Sequence, residues 1–328
     1  MPSSTIQTFS DPDEYTAAIR GTTAELRVTE RGDFAAEIVR IELHRMVVTR
    51  LRDNLPRVFH NHNFPGRAGI SFRTEPGPRF LMRGVEMEPT TLNRVSENYE
   101  AHQHSSGPAS LGVISLPVEE MSSVGGYDLS PPRETLSVTP APAAMARLQR
   151  LHAAAVQLAE TAPEIIAIPD AARGLEQALG EAMAACLDTG DPAHVRVAHR
   201  HHAMVMRRLD EVLQAETEGS LYMADLCKAV GCSPQTLRAC CREHLGMSPK
   251  RYLLLRRMHF ARRALRRANL ERTTVTEIAT NCGFWELGRF SVAYRSLFGE
   301  APLATLRRPP DDMSHGESSS PREFVKSA

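Results

Sequence analysis

The spacing of apolar positions changes partway along the chain. From Arg27 to Glu120 the apolar residues come in short, β-branched and partly alternating runs: "EIVRIELHRMVVTRL", "AGISFR", "RFLMRGVEM" and "LGVISLP". Turn formers such as "FPGR", "EPGPR" and "SSGP" separate them, so the stretch predicts a set of short strands forming a barrel or sandwich. The prolines of "DLSPPRETLSVTPAP" (Asp128 to Pro142) prevent either regular element from continuing and mark a boundary. Beyond it the apolar spacing becomes helical. "AAMARLQRLHAAAVQLAE" places Met145, Leu148, Leu151, Ala155 and Leu158 on one stripe, and "DAARGLEQALGEAMAACL" predicts a second helix. A third, "HHAMVMRRLDEVLQAE", leads into a region that stays helical to Arg308. The opening 25 or so residues and the Ser/Pro-rich tail are polar and predicted to be poorly ordered.

Two segments of the helical region repeat. Asp225 and Glu277 are 52 positions apart, as are Gly231 and Gly283; Gly246 and Gly299 are 53 apart, as are Pro249 and Pro302. Each copy has what two helices crossing at a sharp turn require: a small residue for close approach (Cys227, Ala279), then a glycine four residues on to turn the chain. Ser233 and Pro234 suit the start of the second helix of copy one. Leu237, Cys240 or Cys241, and Leu245 form its buried face; Leu287, Phe290, Tyr294 and Leu297 do so in copy two. The opposite faces carry Gln235, Thr236, Arg238 and Arg242 in one, and Glu286, Gly288, Arg289, Ser291 and Arg295 in the other. Such positions on the first turns of a helix can reach base edges, and those further along meet phosphates. Between the copies, "KRYLLLRRMHFARRALRRAN" carries an apolar stripe of Leu254, Met258, Ala261, Leu265 and Ala268, with the six arginines Arg256, Arg257, Arg262, Arg263, Arg266 and Arg267 on its other faces.

Charge sharpens this picture. The chain of 328 residues is formally neutral, yet Ser220 to Arg308 holds 16 Lys+Arg against 6 Asp+Glu, a net +10 balanced by −10 elsewhere. That asymmetry fits a module facing nucleic acid, double-stranded DNA in particular, and implies some phosphate contact by the six arginines. No apolar run is long enough to span a bilayer and no signal peptide is recognised, so the expected location is cytoplasmic, at the bacterial nucleoid, with reduced thiols.

Residues from about Ala198 to Arg308 resemble the DNA-binding domain of AraC/XylS-type transcriptional regulators. Gly283-Phe284, Arg289-Phe290-Ser291, Tyr294-Arg295 and Phe298-Gly299 followed by Pro302 carry the resemblance. It implies a seven-helix domain with two helix-turn-helix units and a rigid linker helix, and base recognition through Gln235, Thr236 and Arg238 and through Gly288 and Arg289. It also implies an N-terminal β-barrel of cupin-like shape that senses a small-molecule effector or mediates homodimerisation. The fold class expected is thus two-domain α+β: a polar segment (1–26), a β-rich domain (27–128), linking and dimerisation helices (129–197), the DNA-binding domain (198–308) and a tail (309–328). The function implied is a ligand-responsive activator acting on promoter or operator DNA and on RNA polymerase, not an enzyme and without a cofactor.

Other readings stand beside this one. His60/His62 and His102/His104 are i, i+2 pairs that could each offer two imidazoles to a metal, which would make the β-domain an enzyme-like metal cupin tethered to DNA. Both pairs run into turn formers, and the reading assigns them no metal. The cysteines lack the paired short spacings of zinc sites and are read as helix core. The β-domain could also serve dimerisation alone. Trp285, the single tryptophan, is expected to pack against neighbouring helices.

Overall fold

The computed structural model describes residues 1–97, 99–123, 137–188, 191–192, 197–215, 223–269 and 272–308. The tail 309–328 and residues 128–136 of the Pro-rich boundary lie outside the described residues.

The alternating segments become antiparallel strands: β1 (Ser3–Phe9), β2 (Thr22–Val28), β3 (Ala36–Glu42), β4 (Val47–Asp53), β5 (Arg57–Asn63) and β6 (Arg67–Arg73). Then follow β7 (Phe80–Met82), β8 (Val85–Glu86), β9 (Leu92–Val95), β10 (Glu100–Ser105), β11 (Ala109–Pro117) and β12 (Ser137–Thr139). The short strand β13 (Asp191–Pro192) pairs with β12. They form two sheets, one in the order β1-β3-β4-β11-β6-β9-β12-β13 and one in the order β2-β5-β10-β7-β8. The expected β-domain is therefore two facing sheets rather than a closed barrel. "EIVRIELHRMVVTRL" becomes the hairpin β3–β4, in which Ile38 faces Leu51 across the pair.

The first 26 residues are ordered, contrary to expectation. Ser3–Phe9 completes the edge of the large sheet against β3, and helix α1 (Pro12–Ala18) follows. The signal lies in "SDPDEY": Asp11 Oδ1 accepts hydrogen bonds from the Asp13 and Glu14 amides at 2.9 and 3.3 Å, and Pro12 fills the first helical position.

Helices α2 (Pro142–Thr161), α3 (Pro163–Ile166) and α4 (Pro169–Asp188) cover the large sheet. Met145, Leu148, Ala155, Leu179 and Met183 share one core with Val39, Val48, Ile70, Phe72 and Ile114. The Glu176 carboxylate accepts from the Arg45 and Met46 amides at 2.9 and 3.1 Å, which pins α4 to the β3–β4 turn. The apolar stripes of these linking helices are thus buried within the chain.

Seven helices follow among the described residues, as the resemblance implied: α5 (Val197–Ala215), α6 (Met223–Val230), α7 (Pro234–Leu245), α8 (Pro249–Arg267), α9 (Val275–Asn281), α10 (Leu287–Phe298) and α11 (Pro302–Leu306). They make two cores. Val205, Leu209, Leu226, Leu237 and Leu245 form one, and Val58 from β5 joins it. Ala279, Phe284, Phe290, Tyr294 and Leu306 form the other. Helix α8 runs through both, giving Tyr252 and Leu255 to the first and Met258, Ala261 and Leu265 to the second. Its buried stripe runs through Tyr252 and Leu255 rather than the expected Leu254, which is 38% exposed. No described helix is long and apolar enough to cross a membrane.

Candidate nucleic-acid interface

Both repeats fold as helix, turn, helix. In the first, Gly231 adopts φ 74° after α6, the Ser233 hydroxyl accepts the Thr236 amide at 3.1 Å, and α7 ends at Gly246 with φ 68°. In the second, Thr274 and Glu277 cap α9 reciprocally, Gly283 adopts φ 75°, and α10 ends at Gly299 with φ 78°. The left-handed conformation recurs at all four repeated glycines, where a side chain would be strained. Cys227 and Ala279, the small residues of the repeat, are buried at the crossings.

The buried faces follow the spacing closely. Leu237, Cys240, Cys241 and Leu245 are fully buried, and burial pushes both thiols well up. Copy two stacks aromatics instead: Phe284, Phe290, Tyr294 and Phe298 lie at successive centroid distances of 4.7, 5.6 and 4.7 Å. The Tyr294 hydroxyl is 2.9 Å from that of Thr305, which donates to Glu300 at 2.9 Å. Leu287 departs from the pattern at 37% exposure, because the first turn of α10 projects beyond the core that Phe284 closes. Trp285 departs further. It was expected to pack, but Phe284 takes the inward direction at the turn and leaves the indole 76% exposed.

The candidate DNA-facing side chains are presented to solvent. Gln235, Arg238 and Arg242 are exposed on α7, with Thr236 half-buried by its contact to the Ser233 cap. Glu286, Gly288, Arg289, Ser291 and Arg295 are exposed at and along α10. Arg238 makes no ion pair among the described residues, whereas Arg289 is held by Glu286 at 3.0 Å.

The linker-helix arginines behave otherwise. Arg262 and Arg266 both bind Asp11 Oδ2, the former at 3.1 Å, so one carboxylate caps α1 and clasps α8. Arg263 meets Asp13 at 3.4 Å and Glu25 at 3.7 Å. Arg256 donates to the Leu213 carbonyl and Arg257 to that of Gly283, leaving Arg267 as the exposed member of the six. The phosphate contact expected of this row is thus met here by the chain's own carboxylates. His259, one turn before Arg262 and Arg263 on α8, donates to the Val28 carbonyl at 3.1 Å. Burial there lowers its pKa to about 3.

The histidine pairs divide differently from their spacing. His60 and His102 are directly opposite on β5 and β10, with rings stacked at 4.5 Å. Both are buried and turned toward Asp210 of α5: His102 Nε2 lies 3.1 Å from Oδ1 and His60 Nε2 3.8 Å from Oδ2. Glu100 Oε1 is 3.0 Å from His60 Nε2. His62 is exposed, and His104 packs against Gly246, where a Cβ would lie 2.5 Å from its ring. The strands' alternation sends Phe59, Asn61 and Gln103 the other way, into a cavity of about 170 Å³ between the sheets. Sequence reading missed Asp210 and Asp11. An acid between Leu209 and Leu213, on the apolar stripe of "VMRRLDEVL", was the available signal for the first.

Comparison with known proteins bears on the helical part. A family described as a helix-turn-helix domain matches residues 226–308. The chain is 35% identical over 101 residues to XylDLEGF operon transcriptional activator 3 of Pseudomonas putida, covering 31% of this chain and 30% of that protein. It is 36% identical over 106 residues to the probable thc operon regulatory protein of Rhodococcus erythropolis, covering 32% of each. The chain thus spans about a third of the length of these curated relatives. Among solved structures, ToxT of Vibrio cholerae aligns over 88% of this chain and 99% of its own at 11% identity, with a TM-score of 0.29. The duplicated turns, the matched family and the regulators it resembles agree that the C-terminal domain of this chain is an AraC/XylS-type helix-turn-helix domain.

Proposed function

We propose that this chain is a sequence-specific DNA-binding transcription activator whose helices α7 and α10 enter successive major grooves on one face of the duplex. The observation that carries this reading is the pair of 12-residue helices with exposed polar faces, joined through the single 19-residue α8. At 1.5 Å per residue that connection spans about 28 Å. One turn of duplex is about 34 Å, and modest bending of the DNA toward the protein closes the difference. Gln235, Thr236 and Arg238 read base edges from α7; Arg289 does so from α10 after leaving Glu286, which is then able to accept from a cytosine amino group. Gly288 lets the backbone come close, and Arg242, Ser291 and Arg295 hold phosphates. The similarity to an operon transcriptional activator supports activation; RNA polymerase is the partner and the cytoplasm the location in this reading.

The cavity between the sheets is the effector site in this reading. Among the described residues Asn61 Oδ1, Ser71 Oγ and the Tyr99 hydroxyl are buried without hydrogen-bond partners, and all three residues line it beside Phe59, Leu51, Met82 and Leu111. An apolar pocket with a few unsatisfied polar groups suits a small amphipathic molecule. A homodimer has to use surface other than the buried stripes of α2 and α4. Capture and sequencing of DNA bound to the protein in cells tests the function. Discrete sites are expected, lost on joint Arg238→Ala and Arg289→Ala substitution; binding without discrete sites, or unchanged by that pair, rejects it.

A further inference from the structure

We propose that His60, His102 and Asp210, with Glu100 beside His60 able to swing in as a fourth ligand, form a binding site for a first-row divalent cation of the zinc type, bridging the β-domain to the first helix-turn-helix unit. The donor set comes from three elements. His60 lies on β5, Glu100 and His102 on β10, and Asp210 on α5, whose Val205, Met206, Leu209 and Leu213 form the core behind α7. Two imidazoles and two carboxylates are a borderline N/O set of the kind zinc and its neighbours take.

The geometry is close to what such an ion requires. Metal–ligand bonds of about 2.0 Å in a tetrahedron set donor atoms about 3.3 Å apart. Here the separations are 3.0 Å (His60–Glu100), 3.1 Å (His102–Asp210) and 3.8 Å (His60–Asp210). The donor atoms of His60, His102 and Asp210 all lie within 4.8 Å of one another. All three residues are buried, at 9%, 4% and 5% exposure, and Glu100 closes the outer side.

A plain hydrogen-bonded cluster accounts for less of this. Two stacked imidazoles turn the same nitrogen, Nε2, toward one carboxylate, as ligands of a shared ion do. Asp210 Oδ2 is buried and accepts no hydrogen bond among the described residues, an unusual state for a carboxylate oxygen. Nearby Arg27 does not claim it, since its guanidinium binds Glu25 and the Tyr252 hydroxyl. The site is also distinct from the sheet cavity, which Phe59, Asn61 and Gln103 face from the opposite side of the same strands.

Because one ligand belongs to the helical domain and three to the β-domain, the ion can be fully bound only while the two are docked. Metal therefore holds the arrangement in which α8 is clasped by Asp11 and Asp13.

The test uses full-length protein stripped of metal and titrated with Zn²⁺, and separately with Co²⁺, whose visible absorption reports tetrahedral coordination. One ion per chain is expected, with the cobalt band, and slower amide exchange in β5, β10 and α5 together. His102→Gln and Asp210→Asn are expected to weaken binding by more than about 100-fold, at least the loss seen for groups one step removed from a metal. Glu100→Gln, a half-exposed position that folding tolerates, should weaken it less, and His62→Gln, exposed on the same strand, not at all. Substoichiometric uptake overturns the proposal, as does binding that His62→Gln reduces while Glu100→Gln, His102→Gln and Asp210→Asn leave it intact.

Discussion

The two helix-turn-helix units share a backbone plan and differ in what holds them. The first is built on leucines and cysteines, has a side-chain cap on its recognition helix, and takes Val58 of the β-domain into its core. The second is built on an aromatic stack, starts its recognition helix at Glu286 without a side-chain cap bond, and is closed by α11. The first unit meets the β-domain through α5 and α7, by Asp210 at the histidine pair and Gly246 against His104. The second touches it more lightly, by Arg31 beside Gly299 and Phe298 at the edge of the Tyr15 cluster. A duplication can thus keep two similar helix-turn-helix units while wiring one of them to the β-domain. A change in the β-domain should reach α7 directly and α10 mainly through α8.

The largest way to break this comparison is to empty one core. Tyr294→Ala removes a fully buried ring from the aromatic stack and leaves Thr305 without its hydroxyl partner. The expected loss is about 3–5 kcal/mol, read by chemical denaturation, with α9–α11 opening first in amide exchange. Cys240→Ala, equally buried in the first unit, removes a single small sulfur and should cost about 1 kcal/mol.

The two C-caps sharpen the contrast next. Gly246→Ala puts a Cβ 2.5 Å from the His104 ring as well as in a left-handed backbone. Gly299→Ala carries the same backbone strain but meets the Arg31 side chain at 3.1 Å, which can move. The backbone term is about 1–2 kcal/mol in each. Thermal unfolding should therefore show Gly246→Ala as the more damaging, with the excess abolished by His104→Ala.

Acid weakens the α8 contact with a defined sign. His259 is neutral when folded, with its pKa lowered from 6.5 to about 3 by burial and by the charges of Arg27, Arg262 and Arg263 facing it. The unfolded chain binds the proton first, so this contribution is complete above about pH 6.5 and is lost as pH falls toward 3. The slope approaches about 1.4 kcal/mol per pH unit, and His259→Gln should flatten it. His152, lowered to about 4 at the α2–sheet contact, adds the same sign away from the helical domain and remains in that variant.

Much of this was legible in the residues because local rules and tertiary packing agreed. The four glycines, the Ser233 cap and the burial of Phe290 and Tyr294 follow from spacing alone. Trp285 and Leu287 did not, because periodicity locates a face but not where that face runs out of neighbours. The edge strand Ser3–Phe9 was hidden by its polar composition, which an edge with one partner tolerates. Asp11 and Asp210 escaped notice because their partners lie 251 and 108 positions away, across a domain contact that one sequence does not declare. The linker arginines were expected to contact phosphate, but in this arrangement Arg262, Arg263 and Arg266 are half-buried against Asp11 and Asp13 at the start of α1.

Footprinting on the cellular target DNA tests the central claim most directly. Two reading heads joined by α8 should protect two major-groove patches on one face, about 10 base pairs apart. Arg238→Ala should erase one patch and Arg289→Ala the other. A single patch, or two that respond together to either substitution, would contradict the assignment of one groove to each helix.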